Sequence, residues 1–110
     1  MLTIDTKHDD GHDILLLSGE VDASNSVILD EAIQKLVAGG SKSILVNGEK
    51  LEYISSAGLG VFMSYLEDFQ EAGIILKIYS LSDRVFEVFQ ILGLDQLIGI
   101  YPDKKTALLS

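Results

Sequence analysis

Apolar and polar residues alternate at the start of the chain. Leu2, Ile4 and Thr6 fall on one side, and Thr3, Asp5 and Lys7 on the other. That period of two predicts a β-strand. Asp9-Asp10-Gly11 is a turn signal. Ile14 to Leu17 is an unbroken apolar run, which predicts a strand covered on both faces. Together they predict an N-terminal hairpin. Gly19-Glu20-Val21-Asp22-Ala23-Ser24 then leads into a helix. Leu29, Ala32, Ile33 and Leu36 share one side of it, with Asp30, Glu31, Gln34 and Lys35 largely opposite. Asp22 or Ser24 is suited to cap it and Gly39-Gly40 to end it. Ile44-Leu45-Val46 reads as the next strand, followed by Asn47-Gly48.

The second half repeats the alternation of strand and helix. After Ser55-Ser56, a second amphipathic helix is defined by Leu59, Phe62, Met63, Leu66 and Phe69, with Glu67, Asp68, Gln70 and Glu71 polar. Ala72-Gly73 closes it, and Ile74 to Tyr79 predicts a strand. Ser82-Asp83 opens a short third helix, with Val85, Val88, Phe89 and Leu92 inward and Gly93 as its stop. Leu97 to Tyr101 predicts a last strand or extended segment. Pro102 breaks it and suits the start of a final helix around Lys104 to Leu109. This order predicts an α/β fold, with parallel pairing after the opening hairpin. No linker, low-complexity segment or internal repeat interrupts it. One domain over residues 1–110 is expected, and a chain closing on its last helix is expected to be a whole protein.

Composition narrows the function classes. A chain of 110 residues that is 47% hydrophobic can bury an ordinary core without staples. Its longest apolar runs are far too short to span a membrane. Met1-Leu2-Thr3-Ile4-Asp5 has neither a basic start nor an apolar signal core, which argues against secretion. The absence of cysteine excludes disulfides, thiolate zinc sites and cysteine nucleophiles, and suits a reducing cytoplasm. A formal charge of −9, from 17 acids against 8 Lys and Arg, repels nucleic acid and anionic membrane surfaces. It attracts a basic protein partner, and it also serves simply to keep a domain soluble.

Candidate chemistry concentrates at Ser55-Ser56. A hydroxyl at a helix start caps orphan backbone N–H groups. It can also carry a phosphate, because that end of a helix favours negative charge. Gly58 and Gly60 follow in the first turn, where each costs about 1 kcal/mol relative to Ala. Two explanations fit them: approach of another molecule to the backbone, or close packing against a strand. Glu20 and Asp22 follow a buried strand, at the end where open α/β sheets place binding sites. Ser55-Ser56 is expected at that same end, so the two loops are expected to be neighbours.

Catalysis finds little support. His8 and His12 flank the hairpin turn, far in sequence from the serines. Ile54 stands where a Gly-x-Ser-x-Gly elbow needs glycine. No Gly-Lys-Ser/Thr follows Ser56, so the stretch is not a Walker loop. His8, His12, Asp9, Asp10 and Asp13 read as an exposed polar turn before they read as metal ligands.

Three stretches together resemble the STAS family, named for sulphate transporters and anti-sigma factor antagonists. They are Gly19-Glu20-Val21-Asp22, then Ile44-Leu45-Val46-Asn47, then Tyr53-Ile54-Ser55-Ser56-Ala57-Gly58-Leu59-Gly60. The likeness runs over essentially the whole chain and is nearest to the free-standing bacterial antagonists. It implies a mixed sheet of about four or five strands, a hairpin then parallel strands, with about four helices largely on one side.

The resemblance also implies a cytoplasmic, non-enzymatic regulator of transcription without a cofactor, monomeric or weakly dimeric. Unphosphorylated, such a protein binds an anti-sigma factor that is itself a serine kinase. The kinase phosphorylates it and binding is lost; a PP2C-type phosphatase restores it. In this register Ser56 is the phosphoacceptor. The implied partner-binding residues are Asp22, Ser55, Ser56, Ala57, Gly58, Leu59 and Gly60. Ser55 stands where many relatives carry Asp, as does Asn47. One alternative is a STAS module that senses a ligand or acts as a scaffold, with Ser55-Ser56 only a cap. Another is a small hydrolase using Ser56.

Overall fold

A computed structural model describes residues 1–110. Five strands form one sheet in the order β1-β2-β3-β4-β5. They are β1 (Leu2–Asp9), β2 (His12–Val21), β3 (Ser43–Ile54), β4 (Ile75–Tyr79) and β5 (Gly99–Tyr101). β1 and β2 are antiparallel, and every later pair is parallel. The helices are α1 (Ser26–Ala38), α2 (Ser56–Ala72), α3 (Asp83–Ile91) and α4 (Lys104–Leu109), with a 3-10 turn at Leu94–Gln96. No helix is long and apolar enough to cross a membrane.

The hairpin closes at Asp10 and Gly11, both with positive φ (50° and 84°). Those angles match the primed two-residue turn that follows the twist of its strands. From β2 onward each new strand adds on the same side of the last. Right-handed crossovers that never reverse direction must all lie on one face. So α1, α2 and α3 cover one side, where Leu15, Leu17, Val21, Leu29, Ile33, Phe62, Phe69 and Phe89 join the main core. α4 follows the last strand and takes the other face, closing a small cluster of Ile14, Leu45, Tyr79 and Ala107. The sheet and helix arrangement is the one expected.

Four details differ from the sequence reading. First, β3 does not end at Val46 but continues through Asn47-Gly48 to Ile54. Its pairing with β2 slips once between Leu16 and Ser18 and again between Gly19 and Glu20. Each bulge adds a residue to β3 and inverts its alternation. The first bulge therefore puts Leu51 on the core side with Ile44 and Val46, where strict alternation would turn it away, and the second keeps Ile54 on that side as well. Second, Leu16 is only half-buried, because α4 covers too little of its face. Third, Met63 is 50% exposed, at the margin of the stripe that Leu59, Phe62 and Phe69 bury. Fourth, Leu92 is 51% exposed, because α3 stops at Ile91 before the αL residue Gly93.

A polar clasp joins α1 to α2: the Tyr65 hydroxyl donates to the Asp30 carboxylate. Burial and the adjacent carboxylate push the Tyr65 phenol up from 10.0 to about 12. The folded state thus holds the phenolic proton more tightly than the unfolded chain. The stability it adds is complete below pH 10.0 and lost as pH rises through about 12. Tyr65→Phe should cost about 1 kcal/mol at neutral pH. Chemical denaturation across the alkaline range should show wild type losing that increment and Tyr65→Phe lacking this component.

Candidate functional site

The site is built where β2 and β3 end together. Val21 pairs with Ile54, and the Ser55 N–H donates to the Val21 carbonyl at 2.8 Å. That bond sets Asp22 beside Ser55, as the shared strand end predicts. Ser55 then turns the chain into α2. Its backbone is extended (φ −88°, ψ 173°) and its hydroxyl accepts from the Gly58 N–H at 3.5 Å, a long cap bond. Ser55 is therefore the N-cap, and Ser56 is the first residue inside the helix. Ser56 is exposed and leaves the capping to its neighbour.

The two glycines divide the two explanations between them. Gly58 is buried, and a Cβ there would meet Val21 Cγ1 at 2.6 Å and Ile54 Cγ1 at 2.7 Å. Its bare backbone lets α2 rest directly on the last residues of β2 and β3. Gly60 faces open space. Leu59 is fully buried in the main core. Neither Gly58 nor Leu59 offers a partner any surface. They leave the expected binding set because the face of α2 that carries them is the core face. Ser56, Ala57 and Gly60 remain accessible.

Asp22 does not cap α1, and neither does Ser24. Asp22 Oδ1 accepts from the Ser24 hydroxyl at 2.6 Å and the Ser24 N–H at 2.9 Å. The Ser24 hydroxyl, then its N–H, hold the Asp22 carboxyl below the usual carboxylate range. The N-cap of α1 is Asn25, which makes no cap bond either. Its side chain reaches back instead, accepting from the Asp22 N–H at 2.9 Å and donating to the Glu20 carbonyl at 3.0 Å. Asn25 thus fixes the loop that presents Asp22. The residue type was a visible cap signal, but its actual partners lie behind it in the chain.

A shallow groove runs between the starts of α1 and α2, lined by Val27, Asp30, Ala57, Gly60 and Val61. Val27 is 58% exposed at its wall. Its floor is low because Gly60 and Ala57 carry little or no side chain. Sequence periodicity gave no sign of this groove, which exists only once α1 and α2 lie side by side.

The histidines stand elsewhere. His8 Nδ1 lies 3.1 Å from Asp13 Oδ1, and His12 Nδ1 lies 2.7 Å from Ser43 Oγ. Both sit at the hairpin end of β2, with the length of β2 and β3 between them and Ser56. No Ser-His-acid set is assembled at Ser56.

The STAS domain model matches residues 3–107. The chain belongs to the STAS domain family. An anti-sigma-B factor antagonist of Staphylococcus aureus (strain NCTC 8325 / PS 47) is 31% identical over 99 residues, 90% of this chain and 92% of its own. Two solved structures share the fold. One is an anti-sigma factor antagonist from Mycobacterium paratuberculosis, with a TM-score of 0.90 at 22% identity over 99% of this chain and 92% of that one. The other is the anti-sigma factor antagonist SpoIIAA in its unphosphorylated form, with a TM-score of 0.80 at 19% identity over 96% of this chain and 93% of that one. In this STAS domain Ser55 joins β3 to α2, and the exposed Ser56 is the first residue of that helix.

The split between the glycines is testable by thermal denaturation. Gly58→Ala gains helix propensity but overpacks Val21 and Ile54, for a net loss of about 1–2 kcal/mol. Gly60→Ala meets no neighbour and should hold or raise the melting temperature, by up to about 1 kcal/mol in stability. Equal effects at both positions would contradict the packing role of Gly58.

Proposed function

We propose that this STAS domain is an anti-sigma factor antagonist that acts by partner switching. Unphosphorylated, it binds an anti-sigma factor serine kinase through Asp22, Ser55, Ser56, Ala57 and Gly60, together with the groove beside Val27. Phosphorylation of Ser56 releases it, and a PP2C-type phosphatase resets it. It works in the cytoplasm as a binding module and kinase substrate. The observation that carries this reading is the division of labour between the serines: Ser55 caps α2 and bonds back to Val21, the residue before Asp22, while Ser56 stays exposed. The name of the Staphylococcus aureus relative supports it.

The switch is local and electrostatic. A phosphate on Ser56 adds about −1.5 to −2 charge to a chain already at −9. At a helix N-terminus that charge is tolerated or stabilising by roughly 0.3–1 kcal/mol. The fold has no cause to rearrange. A kinase holds nucleotide phosphates near the serine it modifies, so a further phosphate there meets like charge in a partly desolvated interface. A few kcal/mol of repulsion lowers affinity by orders of magnitude.

Incubation with a cognate kinase and ATP should add one phosphate, mapped to Ser56 by fragment-ion mass spectrometry. The phosphoprotein should keep its far-UV circular dichroism and melting temperature yet lose the kinase. Ser56→Ala should bind and never release by this route, and Ser56→Asp should mimic the release in part. Phosphate on Ser55, or undiminished binding by the phosphoprotein, would overturn the proposal. Absence of any phosphate would favour the reading in which Ser55 is only a cap and the domain is a scaffold or ligand sensor.

Asp22 gives an independent check. Asp22→Asn keeps the oxygen that accepts from Ser24, so the loop and the melting temperature should hold. Loss of its charge should weaken kinase binding by about 1–3 kcal/mol, read by titration calorimetry. Unchanged affinity would leave Asp22 with its loop role alone.

A further inference from the structure

The two edges of the sheet are unequal. β5 is three residues long. β1 is eight residues long, carries no proline and pairs with β2 without a bulge. A groove lined by Ile4, Thr6 and Ile28 separates β1 from α1, so no helix covers this edge. Natural sheets seldom leave an edge of that length unmanaged.

Hydrogen-bond parity shows what β1 presents. The Glu20 N–H donates to the Met1 carbonyl at 3.3 Å, in line with the Leu2–Gly19 register. The turn closes on the Asp9–His12 pair. Both place the odd-numbered residues of β1 in the hydrogen-bonded pairs with β2. The N–H and C=O groups of Leu2, Ile4, Thr6 and His8 therefore point away from β2, along the free edge. Thr6 sits near the middle of that row.

We infer that β1 pairs antiparallel with β1 of a second copy, about a twofold axis at Thr6, to make one continuous sheet of five strands from each copy. Thr6 then bonds to its own equivalent, and Ile4 bonds to His8 of the second copy. Charge selects this register. Asp5 and Lys7 lie on the same face of β1, both exposed. With the axis at Thr6, each Asp5 stands opposite a Lys7 in a close, non-hydrogen-bonded pair. Moving the axis to Asp5 opposes two carboxylates, and moving it to Lys7 opposes two ammonium groups. A lysine in the middle of an edge strand ordinarily guards it. Here Asp5, two residues earlier, makes the guard self-complementary. The charge of −9 on each copy opposes the contact, so association is weak and concentration-dependent. Because the paired strands run antiparallel, the two Ser55-Ser56 ends point to opposite ends of the joined sheet.

Sedimentation velocity over a concentration series tests this. The chain should move from a 12.0 kDa species toward twice that mass as concentration rises to the millimolar range. Thr6→Pro removes an N–H that points to the free edge, so it should spare the hairpin and its circular dichroism while abolishing association. Asp5→Lys and Lys7→Glu should each weaken self-association about tenfold. Mixing those two variants places opposite charges across both pairs and should restore a mixed dimer. A wild-type chain that stays at 12.0 kDa throughout overturns the proposal. So does a Thr6→Pro chain that associates as tightly as wild type, or a mixture that pairs no better than its components.

Discussion

Everything at the candidate site depends on the final contact between β2 and β3, the Ser55 N–H bonded to the Val21 carbonyl. It ends the parallel ladder with Val21 and Ile54 side by side. Those two side chains make the seat on which Gly58 rests. The seat fixes where α2 begins, and with it the orientation of Ser56. On the other strand the same contact decides where Asp22 leaves the sheet. Asp22 and Ser56 are thirty-four positions apart in the chain, and this rung makes them parts of one surface.

Reaching that rung requires β3 to run further than its first apolar triplet. Two bulges lengthen β3 against β2. Each inverts the alternation, and together they return Leu51 and then Ile54 to the core side. Asn47 supports the first departure, accepting from the Glu49 N–H at 3.0 Å. Leu81 packs over Gly48, where a Cβ would meet its Cδ2 at 2.4 Å and push that side chain aside. An irregular strand thus carries the chain from the regular part of the sheet to the surface where its chemistry lies.

The opposite face is held by different means. α4 buries only Ala107 and depends on polar contacts for its place. Lys77 Nζ donates to the Ala107 and Ser110 carbonyls at 2.9 and 2.8 Å, satisfying groups that a helix end leaves open. Lys104 bonds to Asp9 at the hairpin, holding the Asp9 carboxyl below its usual range. The core side of the sheet is thus fixed by apolar packing against three helices, and the other side by a few charged contacts around a small cluster. That leaves Leu16 and much of the second face open to solvent.

Much of this was legible in the sequence because it is local. Period-two alternation marks β1, helical spacing marks α1 and α2, and Asp10-Gly11 marks the hairpin turn. Ser55-Ser56 announces a helix start, and the nearness of the Asp22 loop to it follows from the rule that parallel strands end together. Other features depend on which atoms meet after folding. A bulge exists only against a partner strand, so β3 seemed to end at Val46. Gly58 and Gly60 have the same local signature, and only the seat of Val21 and Ile54 tells packing from exposure. Asp22, Ser24 and Asn25 all have cap chemistry, but the backbone after β2 directs Asp22 to Ser24 and turns Asn25 back toward Glu20. Sequence by itself determined the order of the elements and marked Ser55-Ser56 as a helix start, because periodicity and capping act within a few residues. Which serine caps α2, and the surface around the pair, were decided by tertiary structure, because that surface is made of residues that only the register of β2 on β3 brings together.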